Sequence, residues 1–204
     1  MRSRLKVRKL YFTAAYLNPF NICDYQIITE KELQLISDFS SPNQILGVFE
    51  IPAFREPVHK GLTVLLDEIN DPGNLGTIIR LCDWFGVDQL ICSKNTADCY
   101  NQKVVQASMG SLARVNVTYT DALSYLKNEK RPIYGTFLNG ANVYDTKLEE
   151  DAVLILGNEA NGISKAVEAY VTQKLTIPQF GENQLTESLN VAMATAIFLS
   201  EFRR

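Results

Sequence analysis

Histidine is almost missing from this sequence, His59 being the only one. One imidazole cannot build a His-based metal cage or a Ser-His-Asp triad beside other histidine chemistry, so imidazole does not run whatever reaction the chain performs. Cysteine is sparse as well. Cys23, Cys82, Cys92 and Cys99 make no CxxC pair and no regular framework. Two of them lie inside apolar runs, so they read as buried thiols of a reducing compartment, the cytoplasm. No apolar run approaches the roughly 20 residues needed to cross a bilayer. The apolar stretch 10–17 behind a basic start imitates a signal peptide, but Tyr11, Thr13 and Tyr16 interrupt it and no small-x-small cleavage site follows cleanly. An excess of positive charge is absent too: 20 Lys and Arg face 23 Asp and Glu, for a formal charge of −3. That excludes a uniformly basic nucleic-acid binder. A polyanion would have to be met by a local patch or by neutral donors. Five cations, Arg2, Arg4, Lys6, Arg8 and Lys9, crowd the first nine residues, which leaves 15 cations against 23 acids in the remainder.

What is present is ordinary globular material. With 204 residues, 46% of them apolar and 21% charged, the chain can bury one good domain, or one domain and part of a second. From residue 62 onward short β-branched runs alternate with helix-length amphipathic stretches. Strands are predicted over 62–69, 89–92, 114–119, 133–138, 153–156 and 175–177. Helices are predicted over 75–85, 103–109, 121–128, 165–171 and 187–202. Such alternation implies an α/β fold, a mostly parallel sheet with helices on both faces. The first sixty residues differ: a strand over 6–17, a helix over 30–39 with Thr29 placed to cap it, and another strand over 45–49. Residues 53–61 read as a linker with no periodicity, dividing a segment 1–52 from a domain 62–204.

In open parallel sheets ligands bind beyond the carboxyl ends of the strands, so the loops there are where chemistry is expected. Three are rich in polar residues. The first is Asn70-Asp71-Pro72-Gly73-Asn74-Leu75-Gly76-Thr77-Ile78-Ile79-Arg80, where Asn74 is a candidate helix cap and Arg80 a cation about two turns into the helix. The second is Gly157-Asn158-Glu159-Ala160-Asn161-Gly162-Ile163-Ser164, in which a glycine directly after a buried strand permits close approach of a ligand or another backbone, and Ser164 is placed as an N-cap. The third runs from Ile177-Pro178 to Ser188-Leu189-Asn190, at the mouth of a helix so apolar that it must be buried. No GxxxxGK[ST] occurs, and Gly73-x-x-Gly76 lacks the first glycine of a dinucleotide fingerprint. Spacing alone reaches an α/β ligand-binding domain with three polar loops.

Taken together and in this order, the three loops resemble the motifs of the SpoU (TrmH-like) RNA methyltransferases of the knotted SPOUT superfamily, over residues 62–204. The resemblance implies an α/β domain with a C-terminal trefoil knot, a homodimer, S-adenosylmethionine as cofactor and RNA, ribosomal or transfer, as partner. It implies neither a metal nor a membrane. Matched position by position, the cofactor site falls on Thr136, Leu138, Gly157, Asn158, Ile177, Ser188 and Leu189. The catalytic set falls on Arg80, Asn74, Glu159, Ser188 and Asn190, with Glu159 fixing Arg80 or the motif loops. The resemblance assigns Arg80 to activating a ribose 2′-hydroxyl. A guanidinium stays protonated across the accessible pH range, so the chemistry it allows is phosphate binding and orientation of that hydroxyl. Residues 28–52 resemble the latter half of a small α/β ribosomal-protein-like domain that binds substrate RNA. The third loop is about three residues longer than the family pattern. Three other readings remain open at this point: a non-catalytic RNA-binding module, a base-methylating knotted enzyme and a generic flavodoxin-like nucleotide binder.

Overall fold

A computed structural model of the chain describes residues 4–13, 24–53, 55–87, 89–181 and 185–204. It divides into two compact units, Met1–Phe54 and Arg55–Arg204.

The first unit is a three-stranded sheet with one helix. Strand β1 (Lys6–Thr13) lies between β2 (Tyr25–Ile28), to which it is parallel, and β3 (Ile45–Glu50), to which it is antiparallel. Part of the strand predicted over 6–17 lies outside the described residues, and β2 was not predicted. Helix α1 (Glu30–Ile36) starts at Thr29, which accepts from the Glu32 amide while the Glu32 carboxylate accepts from the Thr29 amide, a reciprocal capping box. The helix stops before its predicted end because Ser37 is extended. Leu10, Phe12, Ile28 and Leu33 form the interior. Of the leading cations, Lys6 and Arg8 both reach Glu50, at 3.3 and 2.6 Å, so that patch is partly neutralised within the unit.

The second unit carries β4 (Thr63–Asp67), α2 (Pro72–Trp84), β5 (Gln89–Cys92), α3 (Gln102–Ala107), β6 (Asn116–Tyr119), α4 (Ala122–Lys127), β7 (Ile133–Asn142), β8 (Val153–Gly157), α5 (Lys165–Glu168), β9 (Gln173–Thr176) and α6 (Val191–Phe202). Its six strands run in the order β6-β5-β4-β8-β7-β9, and every recorded pairing is parallel. Successive side chains point to opposite faces. Val64, Leu66, Leu90, Leu154 and Leu156 pack with α2, α3 and α6, whereas Leu65, Ile91, Val153 and Ile155 pack with α4 and α5. Both faces are thus covered, which is why these strands read as unbroken apolar runs. Neighbouring β4 and β8 are in register so that Asp67 lies beside Gly157, which sets the first and second polar loops side by side.

Three local details depart from the periodicity. Helix α2 begins at Pro72, not at residue 75. Asp71 is its N-cap, accepting from the Asn74 amide at 2.7 Å, and Pro72 occupies the position where a missing N–H costs nothing. Strand β7 continues to Asn142 through a register break in which Thr136 and Ala141 both face Leu175. Helix α6 starts at Val191, because Asn190 takes the cap position and accepts from the amides of Ala192 and Met193. Phe198, Leu199 and Phe202 of α6 are buried in the chain's own core, which accounts for its apolar composition.

At the amino edge of the same sheet, the non-periodic segment before β4 is fastened down. Gln89 exchanges two hydrogen bonds with the backbone of Val58, at 2.7 and 2.8 Å. The His59 ring stacks on Tyr125 with centroids 4.6 Å apart and holds its Nδ1 3.0 Å from Glu129. Arg131, 8% exposed, bonds Glu129 at 2.6 Å, the Tyr125 hydroxyl at 2.9 Å and the Gly61 carbonyl at 2.5 Å.

Candidate functional site

The site lies where the loops after β4 and β8 meet the mouth of α6. Since Asp71 caps α2, the side chain of Asn74 is released from that duty and turns outward. Its amide nitrogen donates to Glu159 Oε1 at 2.7 Å, and its amide oxygen accepts from Asn190 Nδ2 at 2.9 Å. One half-buried asparagine therefore ties together the three polar loops, across 85 and 116 residues of sequence. Asn190 serves twice, capping α6 with its oxygen and holding Asn74 with its nitrogen. Asn74 as a helix cap is corrected accordingly: Asp71 does that work, and Asn74 is a cross-loop bridge.

The second loop is held by its backbone. Asn158 and Gly162 exchange N–H···O bonds at 3.0 and 2.8 Å, with Gly162 at a φ of +67°. This hairpin lies directly over Gly157. A Cβ there would stand 2.2 Å from the Gly162 carbonyl carbon and from the Ile163 nitrogen, so no other residue fits without moving the loop. Asn158 donates to the Glu68 carbonyl at 2.7 Å, binding the second loop to the first. Ser164 sits at the N-cap of α5 but makes no side-chain cap bond; its amide instead donates to Asp67 at 2.8 Å.

Two contributors escaped sequence reasoning. Asp67, the single charge of β4 and 4% exposed, anchors the end of the second loop. Glu68 adopts a φ of +62°, held there by Ser93, Asn95 and Asn158. The signal for Asp67 was a charge closing a wholly apolar strand. Nothing local pointed to Glu68, since only the neighbouring loops impose its left-handed backbone.

The remaining candidates are less closely joined. Arg80 is exposed and, among the described residues, makes no hydrogen bond or ion pair. It lies six residues beyond Asn74, about 9 Å along the helix and on another face. Glu159 pairs with Asn74, not with Arg80, so of the two contacts expected of it, to Arg80 or to the motif loops, it makes the second. Ser188 and Leu189 are exposed beside Asn190. Residues 182–184, at the heart of the longer third loop, lie outside the described residues; around them, Gln179 Nε2 donates to the Thr186 carbonyl at 2.7 Å. Thr136 on β7 and Ile177, just past the end of β9, are half-buried, and Leu138, 75% exposed, has its carbonyl bonded by Thr176 Oγ1 at 3.0 Å. None of Thr136, Leu138, Gly157, Asn158, Ile177 and Leu189 carries charge. The lack of charge at these six positions suits contact with an uncharged nucleoside better than with a phosphate. Among the described residues no group of acids, histidines and cysteines is placed to hold a metal ion.

A family model described as the SpoU rRNA Methylase family matches residues 61–200. The chain is 34% identical over 181 residues to the 23S rRNA (guanosine(2553)-2′-O)-methyltransferase RlmP of Bacillus subtilis, covering 87% of this chain and 71% of that one. Against another relative it spans 58% of the length. Among solved structures, a TrmH-family protein from Porphyromonas gingivalis superposes with a TM-score of 0.87 at 42% identity, covering 98% of this chain and 83% of that one. The SpoU methyltransferase AviRb from Streptomyces viridochromogenes, solved with AdoMet, superposes with a TM-score of 0.82 at 26% identity, over 97% of this chain and 82% of that one.

Proposed function

We propose, from the premise that this chain belongs to the SpoU rRNA Methylase family, that it methylates a ribose 2′-hydroxyl of ribosomal RNA with S-adenosylmethionine as methyl donor. The observation that carries this reading is the Glu159–Asn74–Asn190 chain, which joins three loops around the carboxyl edge of the sheet. When bound, the cofactor supplies a methyl group already activated by its sulfonium, so the protein has chiefly to align a nucleophile and exclude water.

The residues divide that work. Leu138, Ile177 and Leu189 supply apolar contact and Thr136 a hydroxyl, and Gly157 and Asn158 offer backbone at close range. Arg80, exposed and unpaired among the described residues, binds an RNA phosphate and orients the hydroxyl. Asn74, Glu159 and Asn190 fix the loops on which Ser188 and the cofactor wall stand. Charge-assisted binding to phosphate is strong and geometrically specific for a guanidinium. The trefoil knot and the homodimer belong to this reading; what supports the knot is that β8, late in the chain, is inserted between β4 and β7. The first unit contributes RNA contacts through cations beyond the pair shared by Glu50. A cytoplasmic location is supported by Cys82, Cys92 and Cys99, all buried and unpaired.

The test is methyl transfer from labelled S-adenosylmethionine to ribosomal RNA, followed by mapping of the modified nucleotide. Label on a ribose 2′-oxygen is expected, with loss of at least about 100-fold in Arg80→Ala, in line with removal of an orienting group. Label on a base, or full activity in Arg80→Ala, would overturn the reading or the role.

A further inference from the structure

Trp84 is the only tryptophan of the chain, and it stands 83% exposed at the last position of α2. Its place on that helix is specific. Leu75, Gly76, Ile78, Ile79 and Cys82 make the buried face, so Gly73, Thr77, Arg80 and Trp84 share the opposite stripe. Thr77 turns its hydroxyl onto the Gly73 carbonyl at 2.9 Å and so adds little polarity to the stripe. Arg80 and Trp84 are four residues apart, neighbours on one face with about 6 Å of axial rise between them. No acid lies on the stripe. The nearest, Asp83, is turned aside and held by Arg114 at 2.6 Å and by Ser111 at 2.8 Å. The end of the helix is closed by another cation, Arg203, whose guanidinium donates to the carbonyls of Phe85 and Gly86 at 2.8 and 3.1 Å. A large flat indole beside a guanidinium that has no acid partner among the described residues is complementary to unpaired RNA: π-face to base, guanidinium to phosphate.

We propose that Trp84 is a stacking platform for an unpaired base of the substrate RNA, positioned by its helix next to the phosphate-binding Arg80. The inference rests on the RNA-methyltransferase reading above and deepens it. Trp84 touches no reacting atom in this scheme; it holds a base of the substrate and so sets which RNA geometry reaches the site. Stacking of a base on an aromatic contributes about 1–3 kcal/mol, so its loss is read as roughly tenfold in affinity.

Because the chain has a single tryptophan, its intrinsic fluorescence reports on this residue alone. Titration of the full chain with octaadenylate is expected to quench the emission, and a polyphosphate of equal charge is expected to leave it unchanged. In methyl transfer to ribosomal RNA, Trp84→Ala is expected to raise KM about tenfold with kcat unaltered, and Trp84→Phe to restore most of the loss. Emission indifferent to octaadenylate, or an unaltered KM in Trp84→Ala, would overturn the platform while leaving methyl transfer standing. Emission that shifts on dilution of the protein without RNA, together with a changed elution volume for Trp84→Ala, would overturn it in favour of a contact with a second copy. Quenching by octaadenylate in a chain with no methyl transfer would uphold the platform and sink the enzymatic reading.

Discussion

The two edges of the parallel sheet are both laced by side chains, and they are laced to different ends. At the amino edge, Arg131 and Glu129 are 8% and 1% exposed in their side chains, and the guanidinium is bonded by Glu129, Tyr125 and the Gly61 carbonyl. The guanidinium and the carboxylate are both taken up by the fold. At the carboxyl edge the Glu159–Asn74–Asn190 links are single hydrogen bonds between exposed or half-buried residues, while Arg80, Ser188 and Leu138 are not fully enclosed. Saturated and buried polar groups hold a fold together. Unsaturated and exposed ones next to a rigid frame are what a binding site needs.

The comparison breaks most sharply at the amino edge. Arg131→Ala leaves the carboxylate of Glu129 buried without its main partner and is expected to cost about 3–5 kcal/mol in denaturant unfolding. Cofactor affinity of the folded fraction should stay near that of the wild type, since the site is at the other edge. A drop in affinity as large as the drop in stability would mean that the two edges are not independent.

At the carboxyl edge, Asn190→Asp separates capping from bridging. An aspartate still accepts from the amides of Ala192 and Met193, so stability should change by less than about 1 kcal/mol. It can no longer donate to Asn74 and faces Glu159 across it, so methyl transfer is expected to fall about 100-fold. Gly157→Ala should act on both counts, because the added carbon meets backbone that cannot give way. Overpacking of this sort costs about 1–3 kcal/mol, and calorimetry with S-adenosylmethionine should show weakened binding.

Acid titration gives a smaller effect with a definite sign. Burial pushes the Glu129 carboxyl up, but the hydrogen bonds from the Arg131 side chain and backbone, from His59 and from Lys130 together outweigh it and hold the group well below the usual carboxylate range. A depressed folded value means that Glu129 contributes stability above its unfolded pKa of about 4.3 and loses that contribution as pH falls below it. Glu129→Gln should therefore flatten the stability profile at acid pH; an unchanged slope would show that other carboxylates dominate. The smallest effect is expected of Glu68→Gly. It relieves a left-handed backbone costing about 1–2 kcal/mol, against about 0.5–1 kcal/mol of extra chain entropy for glycine. A net gain of about 0.5–1 kcal/mol in unfolding free energy would confirm that the loops hold Glu68 against its preference.

Much of the fold was legible. The alternation of apolar strands with amphipathic helices from residue 62 onward announced a parallel sheet covered on both faces, and the structure has six parallel strands so covered. Thr29 was legible as the cap of α1, and the structure adds the reciprocal bond from Glu32. The boundaries that slipped did so where a second residue competed for one role. Asp71 and Asn74 are both good caps, and only the placement of Pro72 inside the helix gives the position to Asp71. Likewise Ser188 and Asn190 both suit the mouth of α6, and Asn190 takes it. Strand β2 was missed because its four residues show no alternation and their exposure is high at three of them.

The sequence by itself determined the helix and strand periods, the apolar layers and the order of three polar loops, since these depend on residues within a turn or two of one another. Only the tertiary structure decided what those loops do together. The Asn74 side chain meets partners 85 and 116 residues away, Gly157 is required by a hairpin that folds back over it, and Glu68 is left-handed because the loops after β5 and β8 converge on it. Hydrogen bonds of that separation follow from sheet order, which sets β4 beside β8, and sheet order is a property of the packed core that no local window of sequence contains.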